Sequence, residues 1–137
     1  MAYALRAVIE PIAVQIAMEH IDDAFFSRLD GLLAKMHRAA ADTDVAAFTA
    51  ADMEFHTAFY EVAGTDVLMS VWTHIAGTIR KFVAVAGPLY VESLHESATD
   101  HVVLIDLSRR RETSALIEAT SAHLNNIWRR IGTASNG

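Results

Sequence analysis

The stretch Ala51-Asp52-Met53-Glu54-Phe55-His56-Thr57-Ala58-Phe59 sets an acid and an imidazole four residues apart within an apolar run. Four residues is just over one helical turn, so in a helix Asp52 and His56 project from one face and reach a single point between them. Phe48, Phe55, Phe59 and Val62 share that face, which puts the Asp52 carboxylate inside an apolar stripe. A lone carboxylate is costly to bury. An arginine, a proton or a metal ion has to neutralise it.

The helical spacing continues on both sides. Asp42-Thr43-Asp44 is a cluster of good amino-terminal caps, so a helix is predicted from there through the Asp52/His56 stretch to Ala63, with Gly64 ending it. Upstream, one helix is predicted from Ala2 to His20, with Leu5, Ile9, Ile12 and Ile16 as its inward stripe. Pro11 either bends it or opens its main portion. A second begins at Asp22-Asp23, carries Phe25, Phe26, Leu29, Leu32, Leu33 and Met36, and frays at Ala39 to Ala41.

Downstream, Thr65 or Asp66 caps a fourth helix with Leu68, Trp72, Ile75, Ile79 and Phe82 inward, stopping at Gly87-Pro88. A fifth is expected from Leu89 to about Arg109, with a break expected near Ser97 to Thr99, where small polar residues weaken helical preference. The sixth runs from Glu112 to about Ile131, with Leu116, Thr120, Leu124, Ile127 and Ile131 as core positions, and a disordered tail is expected from Gly132. Sustained period-two runs are missing, and there is no internal repeat or interdomain linker. The fold class is therefore all-α: a single domain over residues 1–137, built as one antiparallel bundle of about six helices.

A chain of 137 residues can bury roughly two-thirds of the surface it exposes when unfolded. It contains no cysteine, which excludes disulfides, thiolate metal sites, iron–sulfur clusters and thiol nucleophiles. No run approaches the roughly 20 apolar residues of a membrane span and no signal core opens the chain, so the expected location is the cytoplasm, with no membrane partner. A net charge of −6 argues against this chain gripping a polyanion unaided. The Arg109-Arg110-Arg111 run reads as a solvated helix end.

Seven histidines are many for this length, and the useful test is which of them fall on a buried stripe. His101 stands in the series Leu94, Ala98, His101, Ile105, and His123 in Leu116, Thr120, His123, Ile127, both spaced four, three and four. With Asp52 and His56 they supply one carboxylate and three imidazoles from three helices. Two readings remain open: hydrogen-bonded core polar residues, or a metal site. Nitrogen and oxygen ligands of this kind suit zinc, nickel, manganese, cobalt or iron rather than copper(I) or calcium. His20, His37 and His74 flank their stripes and read as structural or solvated, and His95 is ambiguous. Arg6 and Arg80 each stand alone in an otherwise apolar helix, either snorkelling to water or forking onto a carboxylate.

These residues match a pattern. The chain resembles the FCD domain, the carboxyl-terminal effector-binding domain of FadR-type regulators in the GntR family. The opening Tyr3-Ala4-Leu5-Arg6-Ala7-Val8-Ile9-Glu10-Pro11, the segment Asp52-x-x-x-His56 with Phe55 before the histidine, Asp100-His101-x-x-x-Ile105 and the closing His123-Leu124 carry the resemblance. It implies a divalent transition metal held by Asp52, His56, His101 and His123, with zinc the first choice and nickel or manganese the others. It further implies a small carboxylate effector with Arg6 and Arg80 as countercharge, homodimerisation, and a role in transcription regulation rather than catalysis. DNA binding would reside in a winged helix-turn-helix that is not found ahead of Tyr3. The rivals are a stand-alone metalloenzyme, redox or hydrolytic, with Glu54 and His95 as its acid/base candidates, and a metal-free helical interaction module.

Overall fold

In the computed structural model, the backbone is described for residues 2–136 and side chains for residues 2–127. Six α-helices follow one another: α1 (Ala2–Ala17), α2 (Asp23–Ala41), α3 (Val45–Ala63), α4 (Asp66–Ala86), α5 (Leu94–Arg109) and α6 (Thr113–Asn136). A 3-10 segment, Gly87–Ser93, joins α4 to α5. No strand occurs among the described residues, so the all-α expectation holds.

Local chemistry sets most boundaries. Asp22 and Asp44 cap α2 and α3, their carboxylates accepting from the backbone N–H of Phe25 (2.9 Å) and Ala47 (3.0 Å). Gly64 closes α3 in the left-handed region at φ 69°, where glycine alone avoids Cβ strain. Thr65 stands at the cap position of α4 but makes no side-chain cap bond. The three- or two-residue links between α2 and α3, α3 and α4, and α5 and α6 make these pairs antiparallel neighbours.

Two apolar clusters hold the bundle. One joins Phe25, Phe26, Leu29 and Met36 of α2 to Phe48, Phe55 and Phe59 of α3, Leu104 and Ile105 of α5, and Leu116 of α6. The other joins Met53 and Tyr60 of α3 to Trp72, Ile75 and Ile79 of α4 and Tyr3 of α1, with the Tyr60 and Trp72 rings stacked 4.8 Å apart. Each large side chain removed from water contributes about 1.5–3 kcal/mol. Helix α3 contributes to both clusters and packs on α1, α2 and α4.

Several sequence expectations change. Helix α1 is turned relative to the prediction: Tyr3, Arg6, Glu10, Ala13, Val14 and Ala17 are inside, Ile9 and Ile16 of the predicted stripe are only partly buried, and Leu5 and Ile12 are 42% and 48% exposed. Apolar residues surround this helix, so hydrophobicity could not choose a face; the charged groups of Arg6 and Glu10 find partners inside and settle it. The helix starts at Ala2 and ends at Ala17, which makes Pro11 an interior residue. On α4, Val83 is buried where Phe82 was expected, and Phe82 instead packs edge-on against Tyr90. The irregularity expected near Ser97 to Thr99 lies earlier, at Gly87–Ser93, because Pro88 cannot continue the α4 ladder. Helix α6 runs through Gly132 to Asn136, where a tail was expected, and the core position predicted for Ile131 falls outside the described side chains. No helix among the described residues is long and apolar enough to cross a membrane.

Candidate metal centre

Helix α3 presents Asp52 and His56 one turn apart, as their spacing requires, and α5 and α6 bring His101 and His123 to the same place. One ligand atom from each of the four residues lies within 4.8 Å of every other, and all four residues are buried. Asp52 Oδ1 is 2.8 Å from His101 Nε2 and 3.1 Å from His56 Nε2, and these two nitrogens are 3.1 Å apart. Ligands held about 2.0–2.2 Å from one ion stand roughly 3–4 Å from each other, so the set is close to coordination geometry.

The outer nitrogens fix how each ring is protonated. His56 Nδ1–H donates to Glu10 Oε2 (2.6 Å), His101 Nδ1–H to the Ser97 carbonyl (2.6 Å), and His123 Nδ1–H to Asp100 Oδ2 (2.9 Å). With Nδ1 carrying the proton, a neutral ring turns a bare Nε2 lone pair inward, as metal-bound histidines do. His123 Nε2 is buried without a hydrogen-bond partner in the protein. Such an orphan is rare, and it belongs to one of the four residues whose ligand atoms converge. Three lone pairs and a carboxylate converging in a buried volume fit a divalent transition metal.

Electrostatics agree with that assignment. Burial raises the Asp52 carboxyl, but hydrogen bonds and charge from His101 and His56 outweigh it and hold the group well below its usual range. Burial pushes His123 down to about 4, against the opposing pull of Asp100, which keeps this ring neutral near pH 7. For His56, burial lowers the pKa, yet the Glu10 charge and its contacts with Asp52 and Glu10 leave it raised. In the metal-free protein His56 thus tends to hold a proton between two carboxylates, and an incoming cation has to displace it.

Arg6, one of the two cations singled out in the sequence, is 1% exposed. Its Nε donates to Glu10 Oε1 at 3.0 Å, and its guanidinium carbon lies 4.9 Å from the centre of the Trp72 ring. Its Nη2 is buried with no hydrogen-bond partner in the protein. Arg6 and Asp52 both line a cavity of about 40 Å³, walled also by Tyr3, Tyr90, Ser93 and Ser97. Arg80 does not join them. It is exposed and lines a separate groove with Val45, Thr49, Ala84 and Gly87. Glu54 and His95 are both exposed, outside the four-residue cluster.

Sequence reasoning missed Glu10 and underused Asp100. Glu10 stands four residues after Arg6, the same one-turn spacing that drew attention to Asp52 and His56, but the assumed stripe of α1 turned it outward. Burial raises the Glu10 carboxyl, yet Arg6 and His56 overcome this and bring it down to about 2. His20, His37 and His74 are exposed, in line with their solvated reading.

The chain belongs to the FCD domain family, whose family model matches residues 2–126. Among curated proteins it is similar to the HTH-type transcriptional repressor NanR of Escherichia coli strain K12, 29% identical over 139 residues and covering 96% of this chain. NanR of Salmonella enteritidis is equally similar, at 29% over 138 residues with the same coverage. The chain spans about half (51%) of the length of these relatives. Among solved structures, the fold is shared with a GntR-family regulator from Pseudomonas syringae pv. tomato (TM-score 0.80, 18% identity, 98% of this chain and 55% of that one). It is shared also with Escherichia coli McbR/YncC (TM-score 0.78, 16% identity, 96% of this chain and 67% of that one). NanR is a transcriptional repressor, and the Pseudomonas syringae protein is a transcriptional regulator.

Proposed function

We propose that this domain is the effector-sensing part of a GntR-family transcription regulator. It binds a divalent transition metal through Asp52, His56, His101 and His123, with zinc the first choice and nickel or manganese the alternatives. A small carboxylate metabolite binds beside it on Arg6. The observation that carries the reading is the set of three imidazoles whose Nδ1 atoms are each bound to an outer oxygen, which leaves their Nε2 atoms to serve, with the Asp52 carboxylate, as the ligands of one ion.

When bound, the metal would neutralise Asp52, fix the bundle interior and polarise the effector's carboxylate. The protein's own residues do the rest. Arg6 lines the cavity and keeps Nη2 as an unused donor, and Ser93, Ser97 and the tyrosines line it as well. A cavity of about 40 Å³ holds little more than water, so a metabolite has to displace part of its lining. The 3-10 segment Gly87–Ser93 buries none of its residues and supplies Leu89, Tyr90 and Ser93 to that lining, which makes it the wall that yields.

Arg80 lies outside this cavity, so countercharge rests on Arg6. A change in helix packing on binding would pass to a winged helix-turn-helix in the homodimeric regulator, provided the effector has unequal affinity for two arrangements.

Two measurements test the proposal. Protein purified without chelator should carry near one equivalent of a transition metal by elemental analysis. A panel of small carboxylates should include compounds that raise the melting temperature only while the metal is present. Stabilisation that survives chelation would sink the role of the metal in sensing.

A further inference from the structure

The proposed cavity and the proposed metal point are joined by buried side chains in series. Arg6 sits at the cavity end, with one guanidinium nitrogen unbonded to protein and another donating to Glu10 Oε1 at 3.0 Å. Glu10 is fully buried and uses its second oxygen, Oε2, to accept from His56 Nδ1–H at 2.6 Å. The opposite nitrogen of His56 lies in the ligand cluster, 3.1 Å from Asp52 Oδ1. Tyr60 donates to Glu10 Oε1 at 3.4 Å, and the Trp72 ring backs the guanidinium, so the pair has little freedom to reorient. One carboxylate therefore serves two masters: the cation of the cavity and the imidazole of the metal cluster.

The consequence follows from charge. With the cavity free of anions, Arg6 has Glu10 as its nearest countercharge and takes a large share of its negative potential. An anion seated on Arg6 supplies that countercharge instead. Glu10 can then act more fully on His56, making its Nε2 a better donor to a cation, as outer-sphere carboxylates do for metal-bound histidine.

We infer that Glu10 is a positioning residue that couples the two ligands, so that carboxylate binding at Arg6 tightens metal binding at the four-residue cluster, and the reverse. The reciprocity is a thermodynamic necessity once the coupling exists. The inference rests on the functional reading above, and it adds the route by which one site senses the other.

The test uses acetate as the probe anion and zinc as the probe metal, with zinc affinity of the whole chain read by competition against a chromophoric chelator. In the unaltered protein, saturating acetate should tighten zinc binding by about fivefold or more. Glu10→Gln keeps the shape but removes the shared charge, and its single amide oxygen can accept from only one of Arg6 Nε–H and His56 Nδ1–H. It should weaken zinc binding by about 10-fold or more and reduce the acetate effect to less than about twofold. Weak zinc–acetate association in solution affects both proteins alike and cancels in the comparison.

Acetate tightening of equal size in Glu10→Gln would overturn the inference, because the two ligands would then communicate directly. Zinc binding in the unaltered protein with no acetate effect would overturn it too, while leaving the metal site standing. Absence of zinc binding in the unaltered protein would remove the functional reading and the inference together. Should Glu10→Gln fail to fold by circular dichroism, Arg6→Gln offers the complementary measurement. It removes the cation that draws on Glu10, so zinc should bind about fivefold more tightly and acetate should add nothing; zinc affinity no higher than in the unaltered protein would contradict the route.

Discussion

Helices α1 and α3 use the same one-turn spacing of polar residues, Arg6 with Glu10 and Asp52 with His56, yet they are assembled by different logic. Helix α3 is specified locally: Asp44 caps it, Gly64 ends it, and three phenylalanines mark the face that turns inward. Helix α1 has apolar residues on every side, and its inner face is the one carrying two charges, while Leu5, Val8 and Ile12 stand in contact with solvent. The contrast teaches that a helix can be oriented by polar partners on its neighbours when its own hydrophobic pattern is ambiguous. Glu10 goes inside because Arg6, His56 and Tyr60 satisfy it there.

The difference can be broken most forcefully at the proposed metal ligands. Asp52→Ala on α3 or His123→Ala on α6 should weaken metal binding by more than the roughly 10–100-fold that losing an outer-sphere partner costs. Elemental analysis after gel filtration would expose a variant that still retains a full equivalent. On α1, Arg6→Met leaves Glu10 buried without its principal cation and should destabilise the fold by about 3–5 kcal/mol in urea denaturation. A loss under about 1 kcal/mol would mean that α1 is oriented by something other than this pair.

Acidity probes the polar layer as a whole. His56 is raised above its ordinary 6.5, so its stabilising share is complete below that pH and is lost as pH rises through the folded value. His123 is lowered to about 4, so its share is complete above 6.5 and is lost as pH falls from there toward 4, on the order of 3 kcal/mol. Glu10, lowered from 4.5 to about 2, adds a further loss between those values. Metal-free protein should therefore be most stable near pH 6.5, which thermal melts in chelator across the range would check; a curve still climbing toward pH 8 would contradict the assignment.

Local signals should matter least. Asp44→Ala should cost about 1 kcal/mol through the lost cap of α3. Ile12→Gln on the outer face of α1 should change the stability of the isolated domain by less than about 0.5 kcal/mol. Denaturation midpoints of the two variants, measured side by side, would rank them.

Much of the site was legible because helical periodicity is reliable where a stripe is both apolar and interrupted. The series Leu94, Ala98, His101, Ile105 and Leu116, Thr120, His123 are buried as their spacing predicts, and they converge with Asp52 and His56. Arg6 was visible as a cation in an apolar helix, but its orientation was not, and Arg80, alike in sequence, lies exposed in another groove. Periodicity says which residues of one helix share a face; it is silent on which face a neighbour will cover when both are apolar.

The sequence by itself determined the helices, most of their ends, and the four residues able to ligate a metal, because caps, glycines and three-and-four spacing act within a few residues of one another. Only the tertiary structure decided that Glu10 stands between Arg6 and His56, that Asp100 and the Ser97 carbonyl fix the other two rings, and that Arg80 stays outside. Those choices depend on contacts between helices, where a buried charge settles wherever its partner already lies.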